Sequence, residues 1–167
     1  MNQPIFLSKV AFNLLLSNLI EIEESIDEVI ADFFLEPSKE ARDVRELLNE
    51  YVKRIDGMLR NIVTVETAGN EFPCVVVGGE VMVEERNSGA TYCYKIISPH
   101  KNTASYDEIS FLSPMGRALL LKKVNDSFIV VAPGGNFEYK VLAVRIFTNA
   151  ESSKWDLSYL EGSDNIK

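Results

Sequence analysis

At 167 residues, with 46% hydrophobic and 25% charged side chains, the chain is long enough for one compact core or two small ones, and too apolar to be disordered throughout. Twenty-five acidic residues against 17 basic ones leave a formal charge of -8, which repels a phosphate backbone and disfavours direct nucleic-acid binding. Two cysteines, Cys74 and Cys93, and a lone histidine, His100, leave no room for a structural zinc site or a disulfide framework and fit a reducing, cytoplasmic setting.

No apolar run approaches the roughly 18 residues of a membrane span, and Met1-Asn2-Gln3-Pro4 lacks the basic flank of a signal peptide, so no membrane role is expected. From Phe12 the apolar positions Leu15, Leu19, Ile22, Ile26, Val29 and Phe33 follow alternating spacings of three and four, a heptad seam. Ala41, Val44, Leu48, Tyr51, Ile55, Met58 and Ile62 repeat it. Between the seams, Pro37 disfavours helix at the residue before it, and Ser38 is placed to cap a new one. So short a connection predicts two antiparallel helices that satisfy each other, forming a coiled-coil hairpin within residues 1–65. A helix from Ser8 to about Leu35 would be a rod ~40 Å long. One flank of it is acidic: Glu21, Glu23, Glu24, Asp27, Glu28, Asp32 and Glu36 occur without an intervening Lys or Arg.

From residue 72 the pattern turns to period two and to short apolar runs bounded by turn residues. Val75-Val76-Val77, Glu80 to Glu85 and Thr91 to Ile97 read as strands, the last two joined through Asn87-Ser88-Gly89. Ser127 to Val131 and Phe137 to Val144 form a second pair across Pro133-Gly134-Gly135-Asn136. Between the pairs, Ser113-Pro114-Met115-Gly116 opens a short helix. Residues 72–147 therefore predict a small antiparallel sheet with one helix packed on it, an α+β chain overall. The tail 148–167, with Trp155 and Tyr159, mixes aromatic and acidic residues, and its pattern does not decide between docking and looseness.

Few residues invite an enzyme. Gly78-Gly79 and Pro133-Gly134-Gly135 lack the spacing and the Lys-Ser/Thr partner of a phosphate loop, so they read as turns. His100 follows Ser98-Pro99 with no nucleophile motif nearby, which makes a surface role more plausible than catalysis. Cys74 and Cys93 fall in strand patterns, where apolar burial is the default. The carboxylates around the hairpin end are more informative. Asp32 with Glu36 and Glu40 with Asp43 are spaced for helical neighbours on either side of Pro37. A rod tipped with carboxylates can push oxygen ligands into a narrow cavity and share a divalent ion held there, since magnesium prefers hard oxygen donors. The competing reading is a solvated charged face on an ordinary coiled coil.

Gly79-Glu80-Val81-Met82-Val83, Tyr94-Lys95-Ile96-Ile97, the run from Ile109 through Ser113-Pro114-Met115-Gly116-Arg117-Ala118-Leu119-Leu120, and Pro133-Gly134-Gly135 followed by Phe137 to Leu142 together resemble the C-terminal domain of the GreA/GreB transcript-cleavage factors, also present in the Rnk branch. The resemblance covers about residues 75 to 146. It implies an FKBP-like C-terminal fold without isomerase activity, docked on the rim of the RNA polymerase secondary channel while the coiled coil enters it. It places the rim contact at Ser113, Pro114, Met115 and Gly116, although Pro114 and Gly116 would equally serve to shape the turn while Met115 packs inward. The tip departs from the family pattern Asp-Leu-x-Glu-Asn-x-Glu-Tyr: Leu35-Glu36-Pro37-Ser38-Lys39-Glu40-Ala41-Arg42-Asp43 keeps an acidic pair but lacks its Asn and Tyr.

The chain thus reads as a monomeric, cytoplasmic Gre-like partner of RNA polymerase with no catalytic residues and no stable metal or cofactor of its own. Its tip carboxylates Glu36, Glu40 and Asp43 would act near the polymerase magnesium, which Glu40 and Asp43 would share. The alternatives are a channel-binding regulator that does not stimulate cleavage, a coiled-coil module with another helical partner, and, by fold analogy alone, a prolyl isomerase.

Overall fold

Ser8 ends a short strand, β1 (Ile5–Ser8), and its side chain accepts a hydrogen bond from the Ala11 amide, capping the first helix, α1 (Lys9–Phe33). In the computed structural model, which describes residues 3–67, 69–101 and 107–146, α1 runs for 25 residues, about 37 Å of rod. The chain leaves the helix at Phe34, turns through Pro37, and re-enters at Ser38, whose Oγ accepts from the Ala41 amide at 3.0 Å to cap α2 (Lys39–Leu59). Glu40 lies in the first turn of α2, where a carboxylate complements the exposed amide dipoles.

The predicted seam closes within the chain. Leu15, Leu19, Ile22, Ile26 and Val29 are buried against Ala41, Val44, Leu48, Tyr51 and Ile55. It differs at its ends. Ala11 rather than Phe12 is the buried residue at the base, and Phe33 lies outside the seam, 44% exposed and edge-on to His100 of the other half. Ile62 is not helical at all. Past Leu59 the chain extends into β2 (Ile62–Val65), which pairs in parallel with β1, Ile5 opposite Ile62, and ties the hairpin's two ends together.

The second half holds β3 (Glu80–Glu85), β4 (Thr91–Ile97), β5 (Glu108–Ser110), the helix α3 (Pro114–Leu119), β6 (Ser127–Ala132) and β7 (Gly135–Arg145). The strands lie in the order β5-β4-β3-β7-β6, antiparallel except for the β4–β5 edge pair, which is parallel. Val75-Val76-Val77 is buried but is not a strand. Its backbone bonds instead to Lys122 and Leu121 beyond α3, and the Val77 amide donates to the Tyr51 hydroxyl at 2.9 Å. Gly78 follows with a φ of +83°, a left-handed conformation that favours glycine, and a Cβ there would displace the Asn18 side-chain amide of α1.

The sheet half lies alongside the hairpin, from its base to its end. One hydrophobic cluster runs through both, from Leu15 and Tyr51 to Val76, Phe111 and Val144. Polar contacts follow the same line: Ser8 N–H donates to the Asn70 side chain at the base, Lys101 reaches Glu21 at 3.9 Å midway, and two further pairs lie near the hairpin end. Among the described residues no helix is long and apolar enough to cross a membrane. The tail 148–167, with Trp155 and Tyr159, lies outside the described residues, as does residue 147 at the predicted end of the sheet region.

Candidate site at the hairpin end

Capping at Ser38 and the extended Phe34 hold a three-residue apex in which Leu35 is 99% exposed and Glu36 and Pro37 are exposed beside it. The three predicted tip carboxylates do not converge there. Glu36 lies on the apex, Glu40 on the first turn of α2, and Asp43 one turn further on. Glu40 Oε1 accepts a hydrogen bond from Arg117 Nη1 at 2.7 Å, and Asp43 pairs with Lys39 at 3.6 Å. Arg45 and Asp27 add a cross-hairpin pair at 2.5 Å, offsetting part of the acidic flank.

Ser113, Pro114, Met115 and Gly116 all have local structural work. Ser113 Oγ accepts from the Gly116 amide at 3.0 Å and donates to the Ser110 carbonyl at 2.7 Å, capping α3. Pro114 occupies the first turn, where its missing N–H costs nothing. Gly116 is buried so closely on Ser110 and Phe111 that a Cβ would overlap their backbone. Met115 packs partly into the core, while Pro114 stays exposed. The next residue, Arg117, is the one that reaches Glu40, so the hairpin end and the start of α3, read from sequence as two separate contact points, adjoin in the fold.

A second clasp lies beside the first. His100 Nε2 is 2.9 Å from Asp32 Oδ2, and the His100 ring meets Phe33 edge-on with centroids 5.2 Å apart. Glu28, one turn before Asp32, completes a group whose possible ligand atoms lie within 4.8 Å of one another. Sequence reasoning gave His100 a surface role without a partner and gave the Arg117 side chain none, because their partners stand 68 and 77 residues away along the chain.

Perturbed ionisable groups lie away from this end. Burial pushes the Tyr51 hydroxyl far above its ordinary range, against the pull of the Val77 amide. Burial also raises the Cys74 thiol to about 11, and lifts the Glu80 carboxyl despite Lys95 and Arg145 nearby. None of these groups combines a perturbed proton with an open cleft and a second reactive group.

A family model described as Transcription elongation factor, GreA/GreB, C-term matches residues 70–146, the span from Asn70 to the end of the described sheet. The transcription elongation factor GreA of Thermosipho africanus is 26% identical over 159 residues, covering 86% of this chain and 98% of that protein. GreA of Methylococcus capsulatus is 32% identical over 106 residues, covering 63% of this chain and 67% of that one. Among solved structures, a GreA/GreB elongation factor from Nitrosomonas europaea aligns over 86% of this chain and 99% of its own, at 18% identity and a TM-score of 0.45. On these sequence matches the chain belongs to the GreA/GreB family of transcription elongation factors.

Proposed function

We propose that this chain binds bacterial RNA polymerase and inserts its hairpin apex into the secondary channel, with residues 1–65 as the probe and 72–147 as the docking body. The single observation that carries the reading is the hairpin itself: two helices capped at Ser8 and Ser38, locked by one buried seam, and ended by an exposed Leu35-Glu36-Pro37 apex behind an acidic flank. A stiff narrow element with carboxylates at its end suits a confined site that already holds a divalent ion. Glu36 is the foremost of these carboxylates, with Glu40 and Asp43 a turn or two behind. Pro114 and Met115 supply the rim contact, a stiff turn beside an adaptable thioether. The chain would act on the polymerase's chemistry and perform none of its own.

Freeing the hairpin end requires the Asp32–His100, Glu40–Arg117 and Glu21–Lys101 contacts to open, while the buried cluster around Tyr51 and Val76 stays closed. All three pairs are partly solvated, and such pairs are worth about 1 kcal/mol or less each, so polymerase contacts can replace them. Because Glu40 and Asp43 are already matched with Arg117 and Lys39, and the family's Asn and Tyr are missing at the tip, a channel occupant that does not stimulate cleavage is the second reading. A coiled coil seeking another helix is less well supported, since the seam is filled within one chain. Gel filtration of the full chain with core RNA polymerase tests the first step: co-elution at micromolar concentration is expected, and separate elution would overturn it. Transcript cleavage in backtracked complexes then distinguishes the two readings, stimulation supporting the first and inhibition the second.

A further inference from the structure

We infer that Glu28, Asp32 and His100 form a binding site for one divalent transition ion of the zinc class, which fastens the hairpin end to the sheet half. Glu28 and Asp32 stand one helical turn apart on α1 and so present their carboxylates on one face. The third donor is an imidazole carried in from the loop after β4, 68 residues from Asp32, and it is the chain's lone histidine.

Zinc takes nitrogen and oxygen ligands at about 2.0 to 2.2 Å, which sets neighbouring ligand atoms roughly 3 to 3.5 Å apart. His100 Nε2 and Asp32 Oδ2 already stand at 2.9 Å, and all three donors fall within 4.8 Å of one another. The remaining gap is within reach of a small rotation of Glu28, which is exposed, as are its two companions, so the core need not repack. Phe33, edge-on to the imidazole, fixes the ring plane while leaving Nε2 directed at Asp32. Two carboxylates with one imidazole favour a first-row transition ion over magnesium or calcium, which prefer oxygen donors alone. The acidic flank of α1 raises the local cation concentration, and the nearby Lys101 is directed to Glu21 rather than into the cluster. With three protein ligands, water would fill the remaining positions, giving an exchangeable site rather than the closed zinc core that the cysteine and histidine counts exclude. The site is independent of any polymerase magnesium and does not rest on the channel reading.

Calorimetric titration of Zn²⁺ into the full chain, with Co²⁺ absorption as a second probe, tests this site. One equivalent per chain with micromolar affinity is expected, and Mg²⁺ should bind at least about tenfold more weakly. His100→Ala should weaken zinc binding by about tenfold or more, and Glu28→Gln, which leaves the His100–Asp32 contact in place, should weaken it too. Zinc binding unchanged in both variants would overturn the site, as would a thiolate-to-cobalt charge-transfer band, which would put the ion at Cys93. Equal affinity for Mg²⁺ would reduce the cluster to an acidic patch and overturn it as well.

Discussion

Tyr51 joins the two halves at a single atom. Its hydroxyl takes the Val77 amide in the middle of the shared core, so Tyr51→Phe leaves a buried donor without a partner and should cost about 1 to 3 kcal/mol in urea denaturation. The same residue predicts an alkaline limit. Its folded pKa lies well above the unfolded value of about 10, so the unfolded chain releases the proton first and stability falls as pH rises beyond that value. Tyr51→Phe should remove that part of the slope, and an unchanged slope would contradict the burial account. Two glycines make an opposite pair. Gly116→Ala puts a Cβ on the Ser110 carbonyl and should destabilise by about 1 to 3 kcal/mol, whereas Gly57→Ala on α2 meets nothing and should stabilise by about 0.5 to 1 kcal/mol. Thermal melts of the two variants should move in opposite directions.

The helices of the hairpin are legible in the sequence because everything that makes them is local: a seven-residue period, a proline, and serines that can cap. Ser38→Ala removes the side chain that holds the Ala41 amide and should cost about 1 kcal/mol, with faster hydrogen exchange confined to the first turn of α2. The hairpin pair β3–β4 and the pair β6–β7 are legible for the same reason, since turn residues and alternation mark each one. What escapes is whatever depends on distant chain. β1 and β2 are four residues each and exist only because two helices bring Ile5 beside Ile62. β5 has three residues and borrows its ladder from β4 in parallel. Val75 to Val77 looks like a strand by composition, but its partners are Tyr51 and the turn after α3 rather than a neighbouring strand.

At the scale of the whole molecule, the polar clasp is the least legible feature, because neither Arg117 nor His100 reveals which carboxylate it will meet. It closes the hairpin end onto the same α3 start that the family resemblance assigns to the polymerase rim, so the structure is compact where the proposed working form is extended. Replacing both Arg117 and His100 by Ala should change unfolding free energy by no more than about 2 kcal/mol, since two partly exposed pairs are lost. The distance between spin labels on the apex and on β6 should lengthen and broaden in that double variant. The central claim concerns what the apex touches. A photo-crosslinking residue in place of Glu36 gives the most direct measurement, made in a purified complex with core RNA polymerase. Crosslinks to the polymerase catalytic centre are expected, and a stoichiometric complex that crosslinks only to the outer surface would contradict the account.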